Sequence, residues 1–283
     1  MPGYKVKSIT GALGIEISGV DLAATHNSET IRTWQTLFDQ HHVLVFRQQS
    51  LTPRQHNDFA CRFYRLDEHP YVHSIDGFPG IIEIVKEPDE TRNWGGFGLH
   101  MDLTFREMPP AGAALYAREV PPAGGDTLFV NMQLAYDTLS SGMKKLLCGL
   151  ETDHESFAPE EYHAPYKGMY SKGGEAGKAT HPIVIKHPAT GRLNLYVNPT
   201  QQKRFKGMSD EESAPLLTYL FNHVKRPEFS CRIRWEAGTL IMWNNMTVLH
   251  CAINDDFVAS GSSNGYRRVL HRATFAGIKP SPA

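Results

Sequence analysis

With 283 residues, 41% hydrophobic and 21% charged, the chain has ordinary globular composition and enough length to bury a core without disulfide or metal staples. Its 29 basic and 30 acidic side chains nearly cancel, so no global field favours nucleic acid or an anionic membrane, and affinity for anions must come from locally placed cations. Cys61, Cys148, Cys231 and Cys251 form no CxxC pair, which excludes a zinc knuckle or disulfide framework and suits idle thiols in a reducing compartment.

The opening, MPGYKVKSITGALG, lacks the apolar core of a secretory signal, and no apolar run is long enough to span a membrane. A cytoplasmic protein is the expectation. Tyr4 to Asp21 reads as short strands broken by Gly11, Gly14 and Gly19. From Ser28 to His41 the positions Ile31, Trp34, Leu37 and Phe38 follow a helical period. His42 to Phe46 is a compact apolar run suited to a buried strand. Thr52-Pro53 supplies N-cap and first-turn chemistry for a second helix, predicted to run through Phe59 and Phe63.

Beyond Gly80, strand-like runs separated by Pro and Gly turns fall at 81–85, 113–117, 126–130, 182–187, 193–197, 231–235, 239–243 and 266–275. Helical inserts are predicted over 131–147 and 209–225, and the Gly/Lys/Glu-rich stretch 158–180 reads as a mobile surface loop. Many short strands with a few helices predict a β-sandwich or barrel with helical decoration. No clean linker interrupts the chain, so one domain over 1–283 is expected.

The chemistry begins at His100-Met101-Asp102. Residues two apart on a strand share a face, so this pair can offer an imidazole and a carboxylate to one metal. The bland alternative is a hydrogen-bonded surface pair. His250, after the apolar run TLIMWNNMTVL, can supply a third ligand, or be a satisfied core histidine. Two His and one carboxylate on one face of an octahedral ion leave three positions open, the arrangement of non-haem Fe(II) oxygenases.

In Arg267-Arg-Val-Leu-His-Arg272 a strand would put Arg268, Leu270 and Arg272 on one face. Two inward arginines are costly unless each meets an anion, and at ~3.3 Å per residue they lie roughly 13 Å apart, a spacing for two different anionic molecules. Internal salt bridges are the alternative. Gly124-Gly125 turns the chain into Asp126-Thr127-Leu128, placing the Thr127 hydroxyl early on a strand where it can assist an arginine on a carboxylate.

At these residues the sequence closely resembles the taurine dioxygenase family, which includes aryloxyalkanoate dioxygenases and alkylsulfatases. The matching pieces run from Gly14–Leu22 and Val43–Arg47 through His100-x-Asp102-x-Thr-Phe, Pro109-Pro-Ala111 and Gly124–Thr127 to Trp243-x-Asn245, His250 and Arg268-x-x-x-Arg272-Ala-Thr274. The resemblance implies a mainly β fold with flanking helices, a double-stranded β-helix or jelly roll. It implies His100, Asp102 and His250 as Fe(II) ligands, Arg268 with Thr127 as the clamp for the distal carboxylate of 2-oxoglutarate, and Arg272 with His69 as anchor of the substrate's anionic group.

O₂ is then the second co-substrate, the prime substrate a small anionic organic molecule, and the assembly a homo-oligomer, dimer or tetramer. Leu99 stands where the family often has Trp, Trp243-Asn-Asn-Met246 replaces Trp-Asp-Asn-Arg, and Gln201 takes the place of an aromatic residue of the taurine pocket. These departures speak against taurine itself. A redox-inert metal isomerase or hydrolase and a non-catalytic acid-binding protein are the competing readings.

Overall fold

The computed structural model describes residues 3–70, 72–90, 97–156, 177–255 and 265–283. In chain order its strands and helices are β1 (Lys5–Ser8), β2 (Ile15–Ser18), α1 (Ser28–His41), β3 (Val43–Phe46), α2 (Pro53–Ala60), β4 (Ile81–Lys86), β5 (Gly112–Glu119) and β6 (Thr127–Asn131). There follow α3 (Met132–Asp137), α4 (Ser141–Leu147), β7 (Glu151–Glu155), β8 (Lys178–Pro182), β9 (Val184–Lys186), β10 (Leu193–Leu195) and β11 (Gln202–Phe205). The last are α5 (Asp210–Val224), β12 (Ser230–Ile233), β13 (Leu240–Asn244), β14 (Val248–Ala252) and β15 (Arg268–Thr274).

A seven-stranded sheet, ordered β1-β2-β3-β13-β5-β15-β4, faces a three-stranded sheet, β12-β6-β14. The inner faces meet in one apolar cluster: Val43, Val45, Ile84, Leu115, Ile241 and Leu270 from the large sheet, Phe129, Ile233 and Val248 from the small. Strand alternation sends Leu44, Phe46, Tyr116 and Met242 to the outer face, where α1 and α2 cover them with Trp34, Phe38 and Phe59. Central strands are thus buried on both sides, which accounts for the unbroken apolar run of β3. This two-sheet sandwich is the jelly roll that the family resemblance implies.

Local chemistry sets the helix ends. Asn27 caps α1 by accepting from the Thr30 N–H, and His42, at φ 68°, closes it with its N–H on the Phe38 carbonyl. Thr52 and Gln55 form the capping box of α2. That helix stops at Ala60 rather than Phe63, because Arg62 and Phe63 donate to carbonyls three residues back and tighten the chain into a turn. The insert 131–147 is two helices, since Asn131 and Ser140 each cap a separate start. The predicted loop 158–180 is corrected at its end: Lys178–Pro182 is β8, paired antiparallel with β7. Its remaining residues to 176 lie outside those described.

Candidate metal centre and anion pocket

His250 sits mid-strand on β14, opposite Phe129 of β6. His100 is not on a regular strand, as the HxD spacing suggested, but forms an isolated bridge with His250. Each donates its backbone N–H to the other's carbonyl at 2.9 Å. The chain then turns, with Leu103 at φ 50°, so Asp102 reaches the same point from a turn. His100 Nε2 lies 3.7 Å from Asp102 Oδ1 and His250 Nε2 lies 3.6 Å from Asp102 Oδ2. Among the described residues this is the one trio of buried His, Asp, Glu or Cys side chains whose candidate ligand atoms all fall within 4.8 Å.

The protonation states suit a metal. Burial lowers His250 to about 3 against the opposing pull of Asp102, and burial likewise lowers His100, so both rings are neutral near pH 7. The His100 Nδ1 is 2.9 Å from the Gly98 carbonyl, which fixes N–H there and leaves the Nε2 lone pair facing Asp102. Burial would raise the Asp102 carboxyl, but Arg272, His250 and His100 outweigh it and keep Asp102 ionised far below the usual range. Two neutral imidazoles and one carboxylate, crowded and dry, fit a hard divalent ion with open positions.

The turn carrying Asp102 hangs on a buried polar network. The Asn245 side chain accepts from the Asp102 N–H at 2.8 Å and donates to the carbonyls of Asp102 and Pro110, each at 3.0 Å. Asn198 donates to the Met101 carbonyl at 2.9 Å and to the Thr104 hydroxyl at 2.8 Å. Gln201, at the position of the family's aromatic pocket residue, accepts from the Thr104 N–H and hydroxyl at 3.0 and 2.8 Å. His154 completes the set, 2.9 Å from the Thr104 hydroxyl and held neutral by burial.

The two inner arginines of β15 are where alternation puts them, 3% and 2% exposed for Arg268 and Arg272. Arg267 points out to Glu87 and Glu119. Arg272 lays its planar fork on Asp102, with Nη1–Oδ1 at 3.3 Å and Nη2–Oδ2 at 2.8 Å, over the Trp243 ring. Arg268 donates to the Gly125 carbonyl at 3.3 Å and lies 5.9 Å from the centre of the Trp235 ring.

Gly125, at φ +67°, is held by its N–H on Asp255, which also pairs with Arg232. Only glycine takes such a turn without strain. One cavity is lined by His100, Thr127, His250, Arg268 and Arg272 together with Trp235 and Trp243. His69 is buried but does not line it; the chain leading to it is tied to the end of β15 by the Asp67 N–H on the Thr274 carbonyl at 2.9 Å. Asn245 was legible only as a motif piece. Trp235 carried no signal, because its partner Thr127 is 108 positions away.

Comparison with known proteins agrees with this geometry. The profile of the family described as "Taurine catabolism dioxygenase TauD, TfdA family" matches residues 5–274. An alkylsulfatase of Acinetobacter baylyi is 31% identical over 284 aligned positions, covering 96% of this chain and 85% of the relative. The crystal structure of a taurine dioxygenase from Burkholderia xenovorans superposes with a TM-score of 0.84 at 32% identity, covering 99% of this chain and 93% of that one. The structure of AAD-2 in complex with Mn(II) and N-oxalylglycine gives a TM-score of 0.76 at 25% identity, over 98% and 99% of the two chains. The chain therefore belongs to the taurine catabolism dioxygenase (TauD/TfdA) family and is an oxidoreductase of the Fe(II)- and 2-oxoglutarate-dependent dioxygenase class.

Proposed function

We propose that residues 1–283 work as one catalytic unit in which His100, Asp102 and His250 hold Fe(II), Arg268 and Thr127 grip the distal carboxylate of 2-oxoglutarate, and Arg272 with His69 anchors the anionic group of a small organic substrate. What supports this most directly is the pair of buried arginines opening on the cavity that contains the triad. One redox-inert hydrolytic substrate needs one such handle; two buried guanidinium groups fit two anions. The relatives named for alkyl sulfates and for taurine favour a sulfate ester or sulfonate, and a carboxylate offers the same planar match to arginine.

When bound, Fe(II) supplies the redox chemistry that splits O₂ between 2-oxoglutarate, which leaves as succinate and CO₂, and the substrate, which gains a hydroxyl. The chain's own work is positional. Arg272 spends two N–H donors on Asp102, so an anion sharing that guanidinium is held beside the metal ligand and its nearest C–H bonds with it. Trp243, Phe129 and Leu115 wall the cavity and keep water out. If the hydroxylated carbon bears a sulfonate or a sulfate-ester oxygen, the product collapses to a carbonyl compound with C–S or C–O cleavage.

The four thiols are free, as suits a cytoplasmic enzyme, and a dimer or tetramer is the assembly proposed. No helix among the described residues is long and apolar enough to cross a membrane. The test is succinate formation by anaerobically purified protein given Fe(II), 2-oxoglutarate and O₂, with sulfate esters, sulfonates and aryloxyalkanoates in turn. Succinate that rises with one class names the substrate class; none in any arm, with iron bound, overturns the substrate assignment.

A further inference from the structure

We propose that Trp235 is a positioning residue for 2-oxoglutarate: its indole N–H sets the direction of the Thr127 hydroxyl while its ring supports the Arg268 guanidinium. This rests on the reading of Arg268 and Thr127 as the co-substrate's clamp. Ile233, the last residue of β12, is the register partner of Thr127 on β6. Two residues further on, the buried Trp235 returns its ring over that strand, and Nε1 donates to Thr127 Oγ1 at 2.9 Å.

A threonine hydroxyl has one proton and two lone pairs. With the indole occupying one lone pair, the proton must point elsewhere. On the other side of Thr127 its register partner on β14 is Ala252, too small to fill the space, and both residues line the cavity. The Thr127 proton is therefore aimed at whatever carboxylate Arg268 holds, and the chain indole N–H to hydroxyl to carboxylate strengthens each member.

The other site tryptophan provides the contrast. Trp243 lies under Arg272 at 5.5 Å much as Trp235 lies under Arg268, but the buried Trp243 Nε1 has no hydrogen-bond partner among the described residues. Both rings can support a guanidinium. Only Trp235 also orients a hydroxyl.

The experiment titrates the whole Mn(II)-loaded chain with N-oxalylglycine by calorimetry, comparing wild type with Trp235→Phe, Thr127→Val, Thr127→Ser, Arg268→Ala and the double variants Trp235→Phe/Thr127→Val and Trp235→Phe/Thr127→Ser. Trp235→Phe keeps a ring under Arg268 and loses only the donor, and should weaken binding roughly two- to ten-fold. The Trp235→Phe/Thr127→Val variant should bind no worse than Thr127→Val alone, because the N–H acts through a hydroxyl already gone. In the Thr127→Ser background the Trp235→Phe effect should return.

In turnover, KM for 2-oxoglutarate should rise by the same factor while kcat at saturating co-substrate falls less. An unchanged affinity in Trp235→Phe, or fully additive losses in Trp235→Phe/Thr127→Val, overturns the inference. Should Trp235→Phe fail to fold, 3-benzothienylalanine at position 235 keeps the bicyclic ring without the N–H and reads the same quantity. Arg268→Ala separates the two claims. If it leaves N-oxalylglycine affinity intact, the clamp itself is misassigned; if it weakens binding and Trp235→Phe does not, only the role of Trp235 fails.

Discussion

Arg268 and Arg272 share one face of β15 yet meet different partners, a backbone carbonyl with an indole face in one case and an ionised carboxylate in the other. That difference predicts separable kinetics. Arg268→Ala should raise KM for 2-oxoglutarate by roughly 10- to 100-fold, the worth of a charge-assisted hydrogen bond, with a much smaller effect on the prime substrate. Arg272→Ala should do the reverse and let 2-oxoglutarate be consumed without substrate oxidation. Equal effects of both variants on both KM values would show the two roles exchanged or shared.

His100→Ala should abolish stoichiometric Mn(II) binding, and a retained calorimetric signal would remove His100 from the ligand set. At this scale the triad was legible because its residue types are restrictive and His100 and Asp102 are near neighbours. The bonds of Gln201 to Thr104 were not legible, because position alone cannot show which way a side chain points.

At the scale of elements, the turn after β13 deserves a mutation of its own. Asn245 makes three side-chain hydrogen bonds that join this turn to the Asp102 turn and to Pro110. Asn245→Ala leaves those groups buried and unpaired, at a cost of about 1–3 kcal/mol in stability. If the network also aims Asp102, Mn(II) affinity should fall about 10- to 100-fold. A lower Tm with unchanged Mn(II) affinity would reduce Asn245 to a structural strut.

Strands were legible here because alternation and buried runs are local, and β3, β5, β13 and β15 fall within two residues of their predicted limits. The splitting of 131–147 into two helices depended on two cap hydrogen bonds, each local, that a continuous helical period masks. The bridge that carries His100 was not legible, since its partner lies 150 positions along the chain.

For the whole molecule, acid sensitivity follows from histidines buried neutral. Burial lowers His42, His56 and His154 from 6.5 to about 3. Below about 6.5 the unfolded chain takes up protons that the fold refuses, so stability is complete above that pH and drains away as pH falls toward 3. Each ring costs up to about 1.4 kcal/mol per pH unit in that window, or roughly 4 kcal/mol for the three. Tm should therefore drop between pH 7.5 and pH 5, and His56→Phe, packed against Tyr116, should flatten the slope by about one proton. A Tm independent of pH over this range would refute the assignment.

A β-sandwich or barrel was legible from many short strands and the jelly roll from the family resemblance, while the pairing order β13-β5-β15-β4 was not, because each ladder joins distant segments. The reciprocal backbone pair between His100 and His250 has a further consequence. The two imidazoles are spaced by main-chain bonds in which no ligand atom takes part, which predicts a preformed socket rather than one that the ion must assemble. Chelation should strip the metal without loosening that pair. The His100 and His250 amides should exchange with deuterium as slowly in stripped protein as in loaded protein, and added ion should restore turnover with no refolding lag.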